Sequence, residues 1–465
     1  MTERRKQTNL GKGKDYLHEV EMESRGIEGE QSCVKALKEG RDESIKHQEL
    51  LEQILSRGNM NLAYERVVGN KGSAGLDKMG VDELLPYLKQ RGSELIEQLL
   101  TGRYKPQAVR RVEIPKPDGG VRLLGIPTVI DRLIQQSISQ VLEPLLEEGF
   151  SESSYGFRPK RNAHQAIIKA KEYIESGRKY VVDIDLEKFF DRVNHDKLMY
   201  LLSKKIGDKR VLKLIRQYLQ SGVMINGLWS VTEEGTPQGG PLSPLLSNVM
   251  LDELDKELEK RGHKFCRYAD DCNIYVKSQK AAERVMKSVS RYLEEELKLK
   301  VNEKKSEVGN PKQRKFLGFS FYQKRQEIGV RIHSKPLERI KDKVRKLTSR
   351  SNGMSMEERI KKLSSLIGGW VGYFRLADIK KHCQQLDEWM RRRLRMCYWK
   401  NWKGIKTKHD NLVKYGISNA KAWEYANTRK SYWRIANSPV LSTSLTNKHF
   451  EDIKLLTFSR AYSKT

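Results

Sequence analysis

Phe265-Cys-Arg-Tyr-Ala-Asp-Asp-Cys-Asn-Ile-Tyr-Val276 is an apolar run with two adjacent aspartates, Asp270 and Asp271, at its middle. Short apolar arms around a polar tip predict a β-hairpin. Neighbouring carboxylates repel, and each resists losing its water, so a hairpin has no folding reason to hold both. A divalent cation supplies one. A second acidic strand, Tyr180-Val-Val-Asp-Ile-Asp-Leu186, lies about eighty residues upstream. Asp183 and Asp185 are two positions apart, so a strand projects both from one face. Asp191, after Phe189-Phe190, reads as a turn or helix-start residue. An Asp-Asp pair alone is most often just a turn. Together the two segments point to a carboxylate cluster for Mg²⁺, which takes hard oxygen ligands. A pair of such ions can clamp both oxygens of an in-line phosphoryl displacement.

Other parts of a nucleotide pocket accompany the acids. Lys116 and Arg122 bracket Pro-Asp-Gly-Gly, a hairpin turn signal between β-prone runs in residues 109–126. Such a hairpin could bring two cations onto a triphosphate, or the two could be ordinary exposed cations. Gly235-Thr-Pro-Gln-Gly-Gly-Pro241 allows backbone to approach a ligand, since glycine has no Cβ; a tight loop before a helix reads equally well. No Gly-x-x-x-x-Gly-Lys-[Ser/Thr] loop is present, so phosphates are not held as in ATPases.

The charge is lopsided. Of a net +29, residues 312–465 carry +24 and residues 1–311 only +5. Solubilising surfaces mix both signs, whereas a basic block usually meets a polyanion. Six of the seven tryptophans follow residue 369. Bases stack on aromatic rings, so the mixture favours nucleic acid over membrane. No apolar run approaches the ~20 residues of a membrane span, and Met1-Thr-Glu-Arg-Arg-Lys does not open a signal peptide. A cytoplasmic protein, nucleoid-associated when acting on DNA, is expected. The five cysteines form no Cys-x-x-Cys pair and read as reduced thiols.

At 465 residues, roughly three domains are expected. Residues 1–47 form a polar leader. Leu50, Leu51, Ile54 and Leu55 share a helical face. Helices are expected over 82–100, 128–147, 162–176, 196–206, 209–221, 243–260 and 279–298, with strands at 180–186 and 315–321. Beyond residue 335 helical stripes dominate. Leu337, Ile340, Val344 and Leu347 make one stripe. Leu386, Met390, Leu394 and Cys397 make another, with Arg391, Arg392, Arg393 and Arg395 around it. Each alone is a solvated helix; in succession they suggest a nucleic-acid-binding region.

The order of motifs carries a resemblance. Ile-Pro-Lys-Pro-Asp-Gly-Gly-Val-Arg (114–122), Ser-Tyr-Gly-Phe-Arg-Pro (154–159), Val-Asp-Ile-Asp-Leu-Glu-Lys-Phe-Phe-Asp (182–191), Gly-Thr-Pro-Gln-Gly-Gly-Pro-Leu-Ser-Pro (235–244), Arg-Tyr-Ala-Asp-Asp (267–271) and Phe-Leu-Gly-Phe (316–319) resemble the bacterial group II intron reverse transcriptase/maturase. Gly368-Gly-Trp-Val-Gly-Tyr-Phe374 and Leu386-Asp-Glu-Trp-Met-Arg-Arg-Arg-Leu394 resemble its maturase region. The likeness covers roughly residues 50–465 and is greatest to compact, endonuclease-lacking, group IIC-like members.

The resemblance implies an α+β fold: right-hand fingers and palm, an α-helical thumb (maturase) domain and a small basic C-terminal DNA-binding region. Its boundaries are 1–47 leader, 48–108 N-terminal extension and start of fingers, 109–325 fingers and palm, 326–405 maturase/thumb, and 406–465 DNA-binding. It implies Asp185, Asp270 and Asp271 as catalytic carboxylates holding two Mg²⁺ ions, with the Leu186 carbonyl completing one shell. Lys116 and Arg122 match triphosphate contacts, Phe190 the ring that excludes a ribose 2′-hydroxyl, and Gln238 a residue beside nucleotide and template. Lys305 is implied near the leaving pyrophosphate. Asp183 has no catalytic counterpart. The implied activity is RNA-directed DNA synthesis from deoxynucleoside triphosphates on a primer strand. Binding of group II intron RNA would promote splicing and retrohoming into a DNA target. The tail from Trp423 has no Cys-x-x-Cys, so no HNH endonuclease is expected, and priming from nascent strands at replication forks would take its place. The leader is longer than the compact members lead one to expect. Alternatives are a catalytically silent maturase and a reverse transcriptase domesticated for phage defence.

Overall fold

The computed structural model describes residues 49–115, 119–225, 228–230, 234–236 and 239–464. The leader, Lys116 and Gln238 lie outside the described residues. The chain divides into two compact units. The first joins the residues up to Ala166 to Val181–Val308; the second joins Ile167–Tyr180 to Gly309–Thr465.

The first unit opens with α1 (Leu50–Leu55), α2 (Arg57–Gly69) and α3 (Leu84–Leu100). Leu50, Leu51 and Ile54 bury the stripe read from the sequence. Then β1 (Val109–Pro115) and β2 (Val121–Ile126) pair antiparallel, Pro115 opposite Val121. Next in the chain come α4 (Val129–Glu147), α5 (Ala163–Glu175, which belongs to the second unit from Ile167 onward), β3 (Tyr180–Ile184), α6 (His195–Ser203) and α7 (Lys209–Gln220). Asp208 ties α7 to α1. One oxygen caps α7 through Arg210 N–H at 2.9 Å, and the other accepts from Leu51 N–H at 3.1 Å. Strands β4 (Val223–Ile225) and β5 (Leu228–Ser230) complete a sheet of order β2-β1-β4-β5.

A second sheet carries the acids. α8 (Ser243–Lys260) precedes β6 (Lys264–Tyr268) and β7 (Asp271–Val276), and α9 (Gln279–Glu295) leads to β8 (Glu307–Gly309). Their order is β6-β7-β3-β8, so the two acidic segments occupy adjacent strands. α8 is buried along most of its length, with Asn248, Asp252 and Asp255 among its buried polar positions. A helix of this kind belongs to a core, and its polar residues need partners there. Asp255 finds Arg267 of β6: the fully buried guanidinium sits 2.6–2.9 Å from the carboxylate.

Two strand expectations shift. The strand read over 180–186 stops at Ile184, so Asp185 lies just past its end. The strand read over 315–321 begins only at Phe319. Leu317 at φ 52° and Gly318 at φ 85° are left-handed, and Phe316 and Phe319 exchange N–H···O bonds of 2.9 Å across them. The motif Phe-Leu-Gly-Phe is thus a turn that launches a strand.

In the second unit, β9 (Phe319–Lys324) pairs antiparallel with β10 (Glu327–Ile332), a strand the sequence reading did not foresee. Long helices α10 (Ser334–Leu347), α11 (Met356–Phe374) and α12 (Lys380–Asn401) follow. Ile340 and Val344 are buried on the first, and Leu386, Met390, Leu394 and Cys397 on the third. Smaller helices α13 (Ile405–Lys414) and α14 (Asn419–Ala426) precede four short turns of helix to Tyr462. Asp387 of α12 ties back the last of these, accepting from Phe458 N–H at 2.6 Å and Ser459 N–H at 2.9 Å.

Among the described residues no helix is long and apolar enough to cross a membrane.

Because the Asp255–Arg267 pair is fully buried, removing one partner strands the other charge. Asp255→Ala is expected to lower stability by about 3–5 kcal/mol, read as a lowered urea midpoint by circular dichroism.

Candidate active site

The site is built around the turn between β6 and β7. Tyr268 and Asp271 face each other at the end of the ladder, leaving Ala269 and Asp270 as the loop. Ala269 takes φ 57°, a conformation that costs a residue with a Cβ about 1–2 kcal/mol. Arg267 holds it there: its Nη1 donates to the Ala269 carbonyl and to Asn248 Oδ1, both at 3.0 Å. Burial works to lower the Arg267 pKa, but the Asp255 carboxylate beside it overrides this and raises it. The guanidinium therefore stays charged. Gly156 closes the turn from outside, since a Cβ there would stand 2.2 Å from Ala269 N.

Asp270 points its carboxyl into partial burial. Loss of water pushes its pKa above the ordinary carboxylate value; its own backbone N–H opposes the shift, Asp185 adds to it, and Arg122 and Arg267 counter it. Asp185 and Arg122 thus act on Asp270 as charges from other segments of the same unit. Asp271 is exposed.

Asp185 is fixed by the loop after α9. The Ser306 hydroxyl accepts from Asp185 N–H at 3.0 Å and lies 3.2 Å from the Asp185 carbonyl, to which it can donate. Asn302 N–H donates to that carbonyl at 2.8 Å. The Asn302 side chain donates to Asp185 Oδ1 at 3.1 Å, and Lys305 Nζ stands 3.7 Å from the same oxygen. Asp183 goes elsewhere: with the Asn273 amide turned to satisfy both groups, its nitrogen donates to Asp183 Oδ1 at 2.9 Å. The two aspartates of the acidic strand therefore divide, one bonding to β7 and one facing the cleft.

A cleft of about 1020 Å³ gathers the remaining parts. Asp185, Leu186, Phe190, Asp270, Asp271, Arg122 and Lys305 all line it, whereas Asp183 does not. Phe189 is buried and Phe190 half-buried, their rings edge to face at 5.2 Å. The Phe190 backbone is set by the glycine-rich segment. Gly235 at φ 97° approaches so closely that a Cβ would stand 2.8 Å from the Phe190 carbonyl, and Thr236 N–H donates to that carbonyl at 2.6 Å. The buried His195 ring holds the Gly235 carbonyl at 2.7 Å. Asp191 ends a single helical turn, Phe189–Asp191, and lies 3.6 Å from Arg111.

Asp185, Asp270 and Asp271 bring hard carboxylate oxygens to one cleft, which Leu186 also lines. Among the described residues no group of three or more His, Cys, Asp or Glu side chains is gathered to hold a metal ion by itself. Magnesium usually takes only one or two carboxylates and fills its shell with water and substrate phosphates. The donors fit an ion shared with a phosphate ligand. Sequence reasoning singled out Lys305 of its loop but missed Asn302 and Ser306, which were visible only as polar residues in Lys300-Val-Asn-Glu-Lys-Lys-Ser306.

Comparison with known proteins finds matches to two families along the chain. Residues 114–321 match the reverse transcriptase (RNA-dependent DNA polymerase) family, and residues 337–416 the group II intron maturase-specific domain. Protein YkfC of Escherichia coli (strain K12) is 33% identical over 329 residues, 62% of this chain and 86% of that protein. The group II intron-encoded protein LtrA of Lactococcus lactis subsp. cremoris is 37% identical over 207 residues, 44% of this chain and 34% of that protein. The match thus covers about a third of LtrA. A solved structure described as a partial Cas6-RT-Cas1–Cas2 complex is 28% identical, with 52% of this chain and 42% of that chain covered and a TM-score of 0.35.

Gly235 faces both a strained φ for any other residue and a backbone clash. Gly235→Ala is expected to cost about 1–3 kcal/mol, seen as a lower thermal midpoint.

Proposed function

We infer the activity of this chain from one premise: it belongs to the group II intron-encoded reverse transcriptase/maturase family. It is an RNA-directed DNA polymerase that extends a primer with deoxynucleoside triphosphates. It also binds its intron RNA and offsets phosphate repulsion as that RNA folds for splicing, and takes part in the intron's insertion into DNA. The observation that carries the polymerase reading is the meeting of Asp185, Asp270 and Asp271 on one cleft, with the Asp185 charge opposing ionisation of Asp270.

The surroundings of the described residues support their roles; Lys116 and Gln238, outside the described residues, take theirs from the family likeness. Asp185, Asp270, Asp271 and the Leu186 carbonyl would hold two Mg²⁺ ions. When bound, those ions draw charge from the attacking and leaving oxygens of phosphoryl transfer. Asn302 and Ser306 keep Asp185 aimed at the cleft. Arg122, close enough to act on Asp270, binds the triphosphate together with Lys116. Phe190, pinned by Gly235 and Thr236, lies under the sugar and leaves no room for a 2′-hydroxyl. Gln238 adjoins nucleotide and template. Lys305 pairs with Asp185 in this state and meets the departing pyrophosphate in turnover. Residues 109–325 make fingers and palm, 326–405 the maturase region and 406–465 the DNA-binding region.

The basic unit supplies RNA affinity. Guanidiniums of Arg392 and Arg350 stack at 3.9 Å over Trp433 and 4.5 Å over Tyr432. Arg345 and Arg393 both flank Trp389. Such pairs present cations to phosphates and rings to bases.

Asp270→Ala and Asp271→Ala are each expected to cut primer extension by about 10²–10³-fold while intron RNA affinity stays within a few-fold of the parent. Extension at parental rate in either variant would overturn the carboxylate assignment. Affinity for intron RNA should fall about 10³-fold or more between about 50 and about 200 mM salt, measured by filter binding; a flat response would remove phosphate neutralisation as the main source of affinity.

A further inference from the structure

Phe157 combines features that folding does not call for. Its backbone lies at φ 57°, where a bulky side chain is a genuine outlier. Its ring is 48% exposed, so burial does little to offset that strain. It also lines the cleft shared by Asp185, Asp270, Asp271 and Arg122. Strained backbone persists only where the surroundings over-determine it, and it gathers at ligand clamps.

Both flanks of Phe157 are fixed. On one side, Tyr155 N–H donates to the Arg267 carbonyl at 2.9 Å, and Asn248 donates to the Gly156 carbonyl at 2.9 Å. Gly156 itself lies against Ala269 of the catalytic turn. On the other side, Arg158 is buried, with its guanidinium 2.8–3.0 Å from the Glu147 carboxylate and bonded to the carbonyls of Ser151 and Ser154. The segment cannot relax its turn without disturbing Arg267 or Arg158. The ring is therefore held in register with Asp270 and Asp271.

We propose that Phe157 is a stacking residue whose ring packs against the flat face of a nucleotide in the cleft. Nucleobases of every kind offer a π-face, and stacking on an aromatic side chain is tolerant of sequence. That suits an enzyme that must copy any template. The face comes from one of two sources, a strand of the primer–template or the incoming deoxynucleotide. This inference rests on the polymerase reading and adds a contact to it.

The test uses the full chain with Phe157→Gly and Phe157→Tyr. Primer–template affinity is read by fluorescence anisotropy with a labelled RNA–DNA duplex, and kcat and KM for deoxynucleotide by primer extension. Glycine accepts the left-handed backbone, so F157G should melt no lower than the parent. It should nonetheless weaken one binding parameter about ten-fold, and F157Y should restore it. A shift in duplex Kd with KM unchanged assigns the ring to a strand; a shift in KM with Kd unchanged assigns it to the nucleotide. Parental Kd and KM in F157G would overturn the proposal. So would losses that follow a fall in melting temperature without rescue by F157Y, which would mark a packing role. If the parent itself fails to extend a primer, the polymerase reading falls, and unaltered duplex affinity in F157G then overturns the stacking role as well.

Discussion

The first unit depends on a cation buried where none would be expected. Arg267 sits in a strand between Cys266 and Tyr268, has no access to water, and yet carries its charge. Desolvating a guanidinium is costly unless every donor finds a good acceptor. Here Asp255, Asn248 and the Ala269 carbonyl supply them. A well-packed apolar residue would stabilise the core about as well, but it could not grasp the Ala269 carbonyl. That grasp keeps a non-glycine residue left-handed and aims Asp270 toward the cleft.

The same geometry explains why so much of the site was readable from sequence and some was not. Local signals were clear. The β1–β2 hairpin followed from its turn residues, α8 was expected over the residues it occupies, and the β6–β7 hairpin followed from two apolar arms around acids. What failed depended on partners distant in the chain. Asp183 and Asp185 were read as one strand face, yet the strand ends between them at Ile184, and Asp183 is claimed by Asn273 while Asp185 is claimed by Asn302 and Ser306. No periodicity marks Arg267 as buried, because its justification is Asp255, twelve residues earlier on a different element. The strand Glu327–Ile332 was the exception: Ile328, Val330 and Ile332 alternate with Glu327, Gly329 and Arg331, a period-2 signal that was legible in the sequence and overlooked.

Asp185 and Asp270 put an electrostatic conflict into the native state. Burial disfavours the charge of Asp270, and the Asp185 carboxylate adds to that. The protein blunts it with Lys305 and Asn302 on one acid and Arg122 near the other. These are partial measures: Lys305 is long, exposed and 3.7 Å away, a weak surface pair by itself. A site balanced this way binds cations more readily than one already neutralised. The conflict costs folding stability and favours the ligand, which is the usual direction of trade at functional sites.

The second unit handles charge by a different device. Several of its arginines are placed over rings, as with Arg392 on Trp433, Arg350 on Tyr432 and the Arg345 and Arg393 pair about Trp389. A guanidinium stacked on an aromatic face can offer its planar edge of N–H donors to an acceptor, although Arg345 already pairs with Asp342, Arg393 bonds to Thr348 and Arg392 to the Trp433 carbonyl. Its rotamers are already restricted, so less entropy remains to be lost when a phosphate arrives. Lysine offers no comparable plane. A block of +24 built from free lysines would attract any polyanion about equally. One in which rings orient the cations can favour a polyanion whose phosphates and bases fall at matching spacings. That distinction separates a general electrostatic surface from one able to read the shape of a folded RNA.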